Sequence, residues 1–154
     1  MRVRLQFALS FALLPALFVA CGGEEEPPPP TLTGEVHVHL DEWSVDPEPA
    51  SIDGPVTATF EGHNHGEFPH QVVVIRTDDA PDALPMERGK VDVDDAGEEM
   101  LSFDVPAADP DAGVEGRQVG TVDLRPGRYV IICNIAGHYQ QGMRAAFEVR
   151  EVGE

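Results

Sequence analysis

The sequence predicts an all-β protein, a Greek-key β-sandwich, and three observations carry that reading. From Gly34 onward, apolar and polar residues alternate with a period of two. Glycine and proline punctuate the alternation throughout, and the three-to-four spacing of amphipathic helices is almost absent. Many short strands separated by turn signals can each bury one face by packing as an antiparallel sandwich.

The expected strands follow in chain order. Val36, Val38 and Leu40 alternate with His37, His39 and Asp41, and after the turn signal Asp53-Gly54-Pro55, Val56, Ala58 and Phe60 alternate with Thr57, Thr59 and Glu61. Residues 71–76 form a continuous apolar strand, 100–105 a weaker one and 120–124 another. Residues 128–133 and 143–150 complete the set. The stretch 77–119, rich in Asp, Ala, Pro and Gly, reads as a long, partly irregular connection with one or two edge strands.

Ahead of the sandwich lies a different kind of chain. Arg2 and Arg4 precede an apolar run from Phe7 to Ala20, which predicts a cleaved export signal over residues 1–20, too short for a membrane span. Leu17-Phe18-Val19-Ala20-Cys21 resembles a bacterial lipobox, which implies a lipid on Cys21 and a membrane anchor on the periplasmic side or cell surface. Glu24 to Glu26 and Pro27 to Pro30 make residues 21–31 a stiff acidic tether, and residues 32–154 are one domain's worth of chain.

The formal net charge is -18, and losing Arg2 and Arg4 with the signal takes it to -20. Such a surface repels nucleic acid and anionic membranes, and it suits a basic protein partner, a high-salt habitat or simple solubility. Cysteine usage is more decisive. The chain has two cysteines; with Cys21 lipidated, Cys133 has no disulfide partner, and an unpaired thiol in an oxidising compartment is a liability unless a metal occupies it.

Parity puts Tyr129, Ile131 and Cys133 on one strand face and Met143, Ala145, Phe147 and Val149 on one face of the next. Between Cys133 and Met143 runs a loop with His138 midway, so one segment offers a thiolate, an imidazole and a thioether. With a second imidazole from elsewhere, that set suits a single copper ion. His70 is the best-placed second histidine because it opens the apolar strand after Phe68-Pro69; His63 and His65 rank below it because neither opens such a strand. The alternative for Met143 is a plain core residue, the axial position then being open or filled by a carbonyl.

Gly66-Glu67-Phe68-Pro69-His70-Gln71-Val72-Val73-Val74 resembles the first copper-ligand segment of plastocyanin-like cupredoxins, and Pro126-Gly127-Arg128-Tyr129, Cys133, Gly137-His138-Tyr139 and Gly142-Met143 resemble the second. The Cys-x4-His-x4-Met spacing is most similar to that of rusticyanin, auracyanin and sulfocyanin. The resemblance implies one type 1 copper held by His70, Cys133, His138 and Met143, with both histidines bound through ring nitrogen. It implies electron transfer at the His138 edge, within an apolar rim for which Phe68, Pro69, Tyr139 and Ile135 are candidates. Gln71 stands where plastocyanins carry Asn, but its backbone amide is still able to donate to the Cys133 sulfur.

His37 and His39 share a strand face and could chelate a second metal, although their polar positions make plain surface residues the better expectation. An enzyme reading fails. A trinuclear copper cluster needs more histidines than the six in the chain, and Cys133 is flanked by Ile132 and Asn134 rather than by histidines. The expected function is therefore a one-electron shuttle serving a redox partner such as a cytochrome or membrane oxidoreductase. A copper-delivery protein without redox turnover is the alternative.

Overall fold

The structure, a computed structural model, describes residues 32–153; the expected signal and tether lie outside them. Strands β1 (Leu32–Asp41), β2 (Ser44–Glu48), β3 (Ser51–Gly54), β4 (Val56–Asn64) and β5 (His70–Arg76) form the first half. Short strands β6 (Met86–Glu87) and β7 (Lys90–Val91) and the single turn α1 (Val93–Ala96) come next. Then follow β8 (Glu98–Val105), β9 (Gly116–Leu124), β10 (Gly127–Ile132), the single turn α2 (His138–Gln141) and β11 (Arg144–Glu151).

A four-stranded sheet in the order β2-β1-β4-β9 packs on a five-stranded sheet in the order β3-β11-β10-β5-β8. The all-β sandwich is as expected, but it is not purely antiparallel: β1 pairs parallel with β4, and β3 parallel with β11. The cause is topological. β2 returns on β1, β3 crosses to the opposite sheet, and β4 re-enters the first sheet running the same way as β1. Sequence reading missed β2 and β3 because Pro47 and Pro49 break the pattern; β2 accepts Pro47 because it is a sheet edge.

The central core joins inward residues of both sheets, with Val36, Val38, Leu40, Ala58 and Phe60 facing Val72, Val74, Tyr129, Ile131, Phe147 and Val149. Each such side chain contributes about 1.5–3 kcal/mol by leaving water. Phe60 meets Phe147 edge-on with ring centroids 5.5 Å apart.

β5 and β10 are unbroken apolar runs because they are buried on both faces. Their alternate residues Val73, Ile75, Val130 and Ile132 form a second cluster with Leu84, Val91, Ala96 and Tyr139. The connection 77–97, which carried no motif, thus covers the outer face of the five-stranded sheet. Tyr139 Oη pins it by donating to Pro81 O (2.7 Å) and accepting from Leu84 N (3.1 Å).

Candidate metal centre

His70, Cys133 and His138 come together at one end of the sandwich. His70 opens β5, Cys133 directly follows β10, and His138 begins α2 on the return to β11. Cys133 Sγ lies 3.4 Å from His138 Nδ1 and 3.9 Å from His70 Nδ1, and the two Nδ1 atoms are 3.2 Å apart. Donors bonded to one ion at about 2.0–2.3 Å stand roughly 3.2–3.9 Å from one another, so these separations fit a shared metal. One thiolate with two imidazoles is also the donor chemistry of a soft, redox-active ion such as copper.

Local structure holds each donor. Gly137 adopts φ +90°, a left-handed conformation that favours glycine, and this turns the chain into α2 so that His138 faces back toward Cys133. Cys133 N donates to Met143 O (3.1 Å) and Met143 N to His138 O (3.2 Å), which closes the loop on itself. Gln71 N donates to the Cys133 sulfur at 3.3 Å, the bond anticipated from the sequence. The Gln71 side chain turns to Asp104 instead, at 2.8 Å, so it does not join the two ligand segments.

Two other side chains do the bracing. Asn64 Nδ2 donates to Phe68 O (2.7 Å) and Pro106 O (2.9 Å), while its Oδ1 accepts from Gly66 N (2.9 Å), fixing the turn that delivers His70. Glu42 Oε1 accepts from Phe68 N at 2.9 Å and lies 3.5 Å from His70 Nε2. That carboxylate sits where a side chain at residue 66 would be, so a larger residue there would push Glu42 away from the turn.

Burial sets the protonation of the donors. It pushes the His70 and His138 pKa values below the ordinary 6.5, and for His70 the facing His138 adds to the depression. Both rings are therefore neutral at neutral pH, with lone pairs free for a metal. Burial raises the Cys133 thiol above its ordinary 9.0, opposed by the amides of Ile135 and Gln71 that point at the sulfur. Those amides are fixed donors awaiting a thiolate. Met143 is fully buried in the same core cluster as Cys133, and its backbone bonds to both Cys133 and His138.

No family model matches the chain, and no curated protein does. Among solved structures, rusticyanin from Thiobacillus ferrooxidans matches with a TM-score of 0.56 and 20% identity over 77% of each chain. Reduced rusticyanin matches with a TM-score of 0.51 and 19% identity over 77% of this chain and 79% of that one. Auracyanin from Roseiflexus castenholzii matches at 17% identity, TM-score 0.47, over 77% of this chain and 97% of the other.

The chain has the cupredoxin fold. Within this cupredoxin framework the exposed surface beside the donors is aromatic. Trp43 is 38% exposed and Phe68 52%; their rings stack at 6.1 Å, and Trp43 meets His138 edge-on at 4.8 Å. Pro69 is exposed beside them, and Ile135 is half-buried against the core. Sequence reading missed Trp43, whose placement depends on how the β1–β2 hairpin packs. It also put Tyr139 on the rim in error: Tyr139 is buried in the second cluster, because its hydroxyl finds partners under the 77–97 connection.

The remaining histidines do not compete for this centre. His63 and His65 belong to a separate group with His37 and His39 on the outer face of the four-stranded sheet. His37 and His39 lie at the surface, as expected, with side chains 41% and 39% exposed; what the sequence did not show is that they gather with His63 and His65. The parallel β1–β4 register sets His39 opposite His63 and His37 opposite Glu61, an arrangement invisible along either strand alone.

Proposed function

We propose that this protein is a one-electron carrier with a single type 1 copper held by His70, Cys133 and His138, with Met143 as a weak axial ligand. The observation that carries the reading is the convergence of His70 Nδ1, His138 Nδ1 and Cys133 Sγ within 3.2–3.9 Å. A copper ion bound by such a set supplies reversible one-electron chemistry. The protein's part is to hold the donors in one arrangement. Gln71 N and the Ile135 amide stabilise the thiolate, Asn64 and Glu42 fix the His70 turn, and His70 itself is fully buried. Rusticyanin is a copper protein by name, and the shared fold supports the same class of function here.

His138 is the least buried of the three donors, and with Trp43, Phe68 and Pro69 it makes an aromatic surface for docking a redox partner such as a cytochrome or membrane oxidoreductase. The acidic remainder of the surface would steer a partner with a basic face. We further propose that the chain is exported, lipidated at Cys21 and held off a membrane by the 21–31 tether. Cys21→Ser should move the protein from the membrane to the soluble fraction, whereas an unchanged distribution would refute the anchor.

The absorption spectrum is the direct test. Copper-loaded, oxidised protein should show the intense visible band of a cupric thiolate. Cys133→Ser should abolish it, and a colourless wild-type protein would end the electron-carrier reading.

A further inference from the structure

Away from the proposed copper centre, four histidines and two glutamates gather on the outer face of the four-stranded sheet. His37 and Glu61 are register partners across β1 and β4, and His63 lies two residues beyond Glu61 on the same face. His37 Nδ1 is 3.0 Å from His63 Nε2 and 3.4 Å from Glu61 Oε2, and His63 Nε2 is 3.6 Å from the same oxygen. Three donors that each lie about 2.0–2.1 Å from one tetrahedral ion stand roughly 3.3–3.4 Å apart.

The surroundings are those of ligands held in place. Arg117 Nη2 takes Glu61 Oε1 at 3.1 Å, which leaves Oε2 turned toward the imidazoles. Glu115 Oε1 sits 3.2 Å from His63 Nδ1 and 3.0 Å from Arg117 Nε. Arg117 Nε and Nη2 also lie 3.3 and 3.2 Å from His63 Nδ1. In the tautomer that donates Nδ1–H to Glu115, with Arg117 held by the two carboxylates, Nε2 is a free lone pair, the carboxylate–histidine arrangement found behind metal ligands. The hydrogen bond from His63 also holds the Glu115 carboxyl below its usual range. His39 and His65 stack against this group but do not converge. His65 uses Nε2 toward His39 (3.3 Å) and Nδ1 toward Glu115 Oε2 (3.4 Å). Side-chain exposure falls from 41% at His37 to 18% at Glu61 and 7% at His63, so an ion can enter from solvent and keep water as its fourth ligand.

We propose that His37 Nδ1, His63 Nε2 and Glu61 Oε2 form a second metal site, for a divalent ion of the zinc and cupric class, separate from the copper centre. Two neutral imidazoles and a carboxylate suit these borderline ions and give no thiolate character. Arg117 offsets one of the two carboxylates, so the group keeps a net negative charge that favours a cation.

The test is calorimetric titration of Zn²⁺ into the full-length Cys133→Ala/His138→Gln variant, whose proposed copper centre is disabled. One equivalent should bind. Adding His37→Gln or Glu61→Gln should weaken binding by about 10–100-fold or more, while His65→Gln should leave it nearly unchanged; circular dichroism checks that each variant is folded. No binding in the Cys133→Ala/His138→Gln protein, or binding indifferent to both His37→Gln and Glu61→Gln, overturns the second site. The wild type should bind two equivalents. If it bound one, retained in the double variant, the copper-centre reading would fail while this site stood.

Discussion

The side-chain amide of Asn134 exchanges two hydrogen bonds with the backbone of Val91: Oδ1 accepts from Val91 N at 2.8 Å and Nδ2 donates to Val91 O at 3.1 Å. Asn134 directly follows the proposed ligand Cys133, and Val91 lies in the connection 77–97, so the pair fastens the 133–143 loop to the segment that covers the sheet. Gly137 N donating to Gly89 O at 2.9 Å makes a second tie.

Asn134→Ala should therefore loosen the loop. Losing two partly buried bonds predicts a cost of about 1–3 kcal/mol in denaturant unfolding. The same variant should lose bound metal to a chelator faster than the wild type. Unchanged stability together with an unchanged loss rate would show that the tie does not hold the loop.

Cys133 is fully buried and its thiol is raised by that burial. In the metal-free, folded protein it should react far more slowly with a thiol reagent at pH 8 than it does in urea. Metal binding should release its proton into weakly buffered solution. Equal labelling rates in folded and unfolded protein would contradict the burial.

The metal-free protein should also be acid-sensitive through His70. Its folded pKa lies below the ordinary 6.5 because burial and the facing His138 disfavour the charged ring. Above 6.5 the ring is neutral in both states and its contribution is complete. As pH falls from 6.5 through the lower folded value, the unfolded state takes up the proton first and stability is lost. Thermal unfolding at pH 7.5 and pH 5 should show a drop that His70→Leu reduces; a drop of the same size in that variant would exclude His70 as its source.

Trp43 is the single tryptophan of the chain, and its ring lies 4.8 Å from that of His138. One equivalent of Cu²⁺ should quench most of its fluorescence, and His138→Gln should remove that quenching at the same copper concentration. Full fluorescence in the copper-loaded wild type would separate Trp43 from the metal.

The convergence of His70, Cys133 and His138 was legible in the sequence, because type and spacing within one short loop and one strand start already constrain where side chains point. Parity alone placed Tyr129, Ile131 and Cys133, with Phe147 and Val149, toward one core, and the structure agrees. The sequence marked 71–76 as a continuous apolar strand, but that β5 and β10 are buried on both faces, and that 77–97 is the cover, came only from the structure. The buried side chains of this cover, Leu84, Val91 and Ala96, are too widely spaced to form a strand or helix pattern, and the backbone groups that meet Tyr139 and Asn134 leave no trace in composition.

What the sequence by itself determined is an all-β sandwich in which Cys133 shares a short loop with a histidine and a methionine. Those features depend on alternation and on separations of a few residues. What only the tertiary structure decided is which distant groups meet. The parallel pairing of β1 with β4 turned two His-x-His stretches, separately unremarkable, into one cluster around His63. The packing of the β1–β2 hairpin brought Trp43 and Glu42 to the ligands. Strand partnership and hairpin docking are set by the summed burial of the whole core, which no local pattern carries.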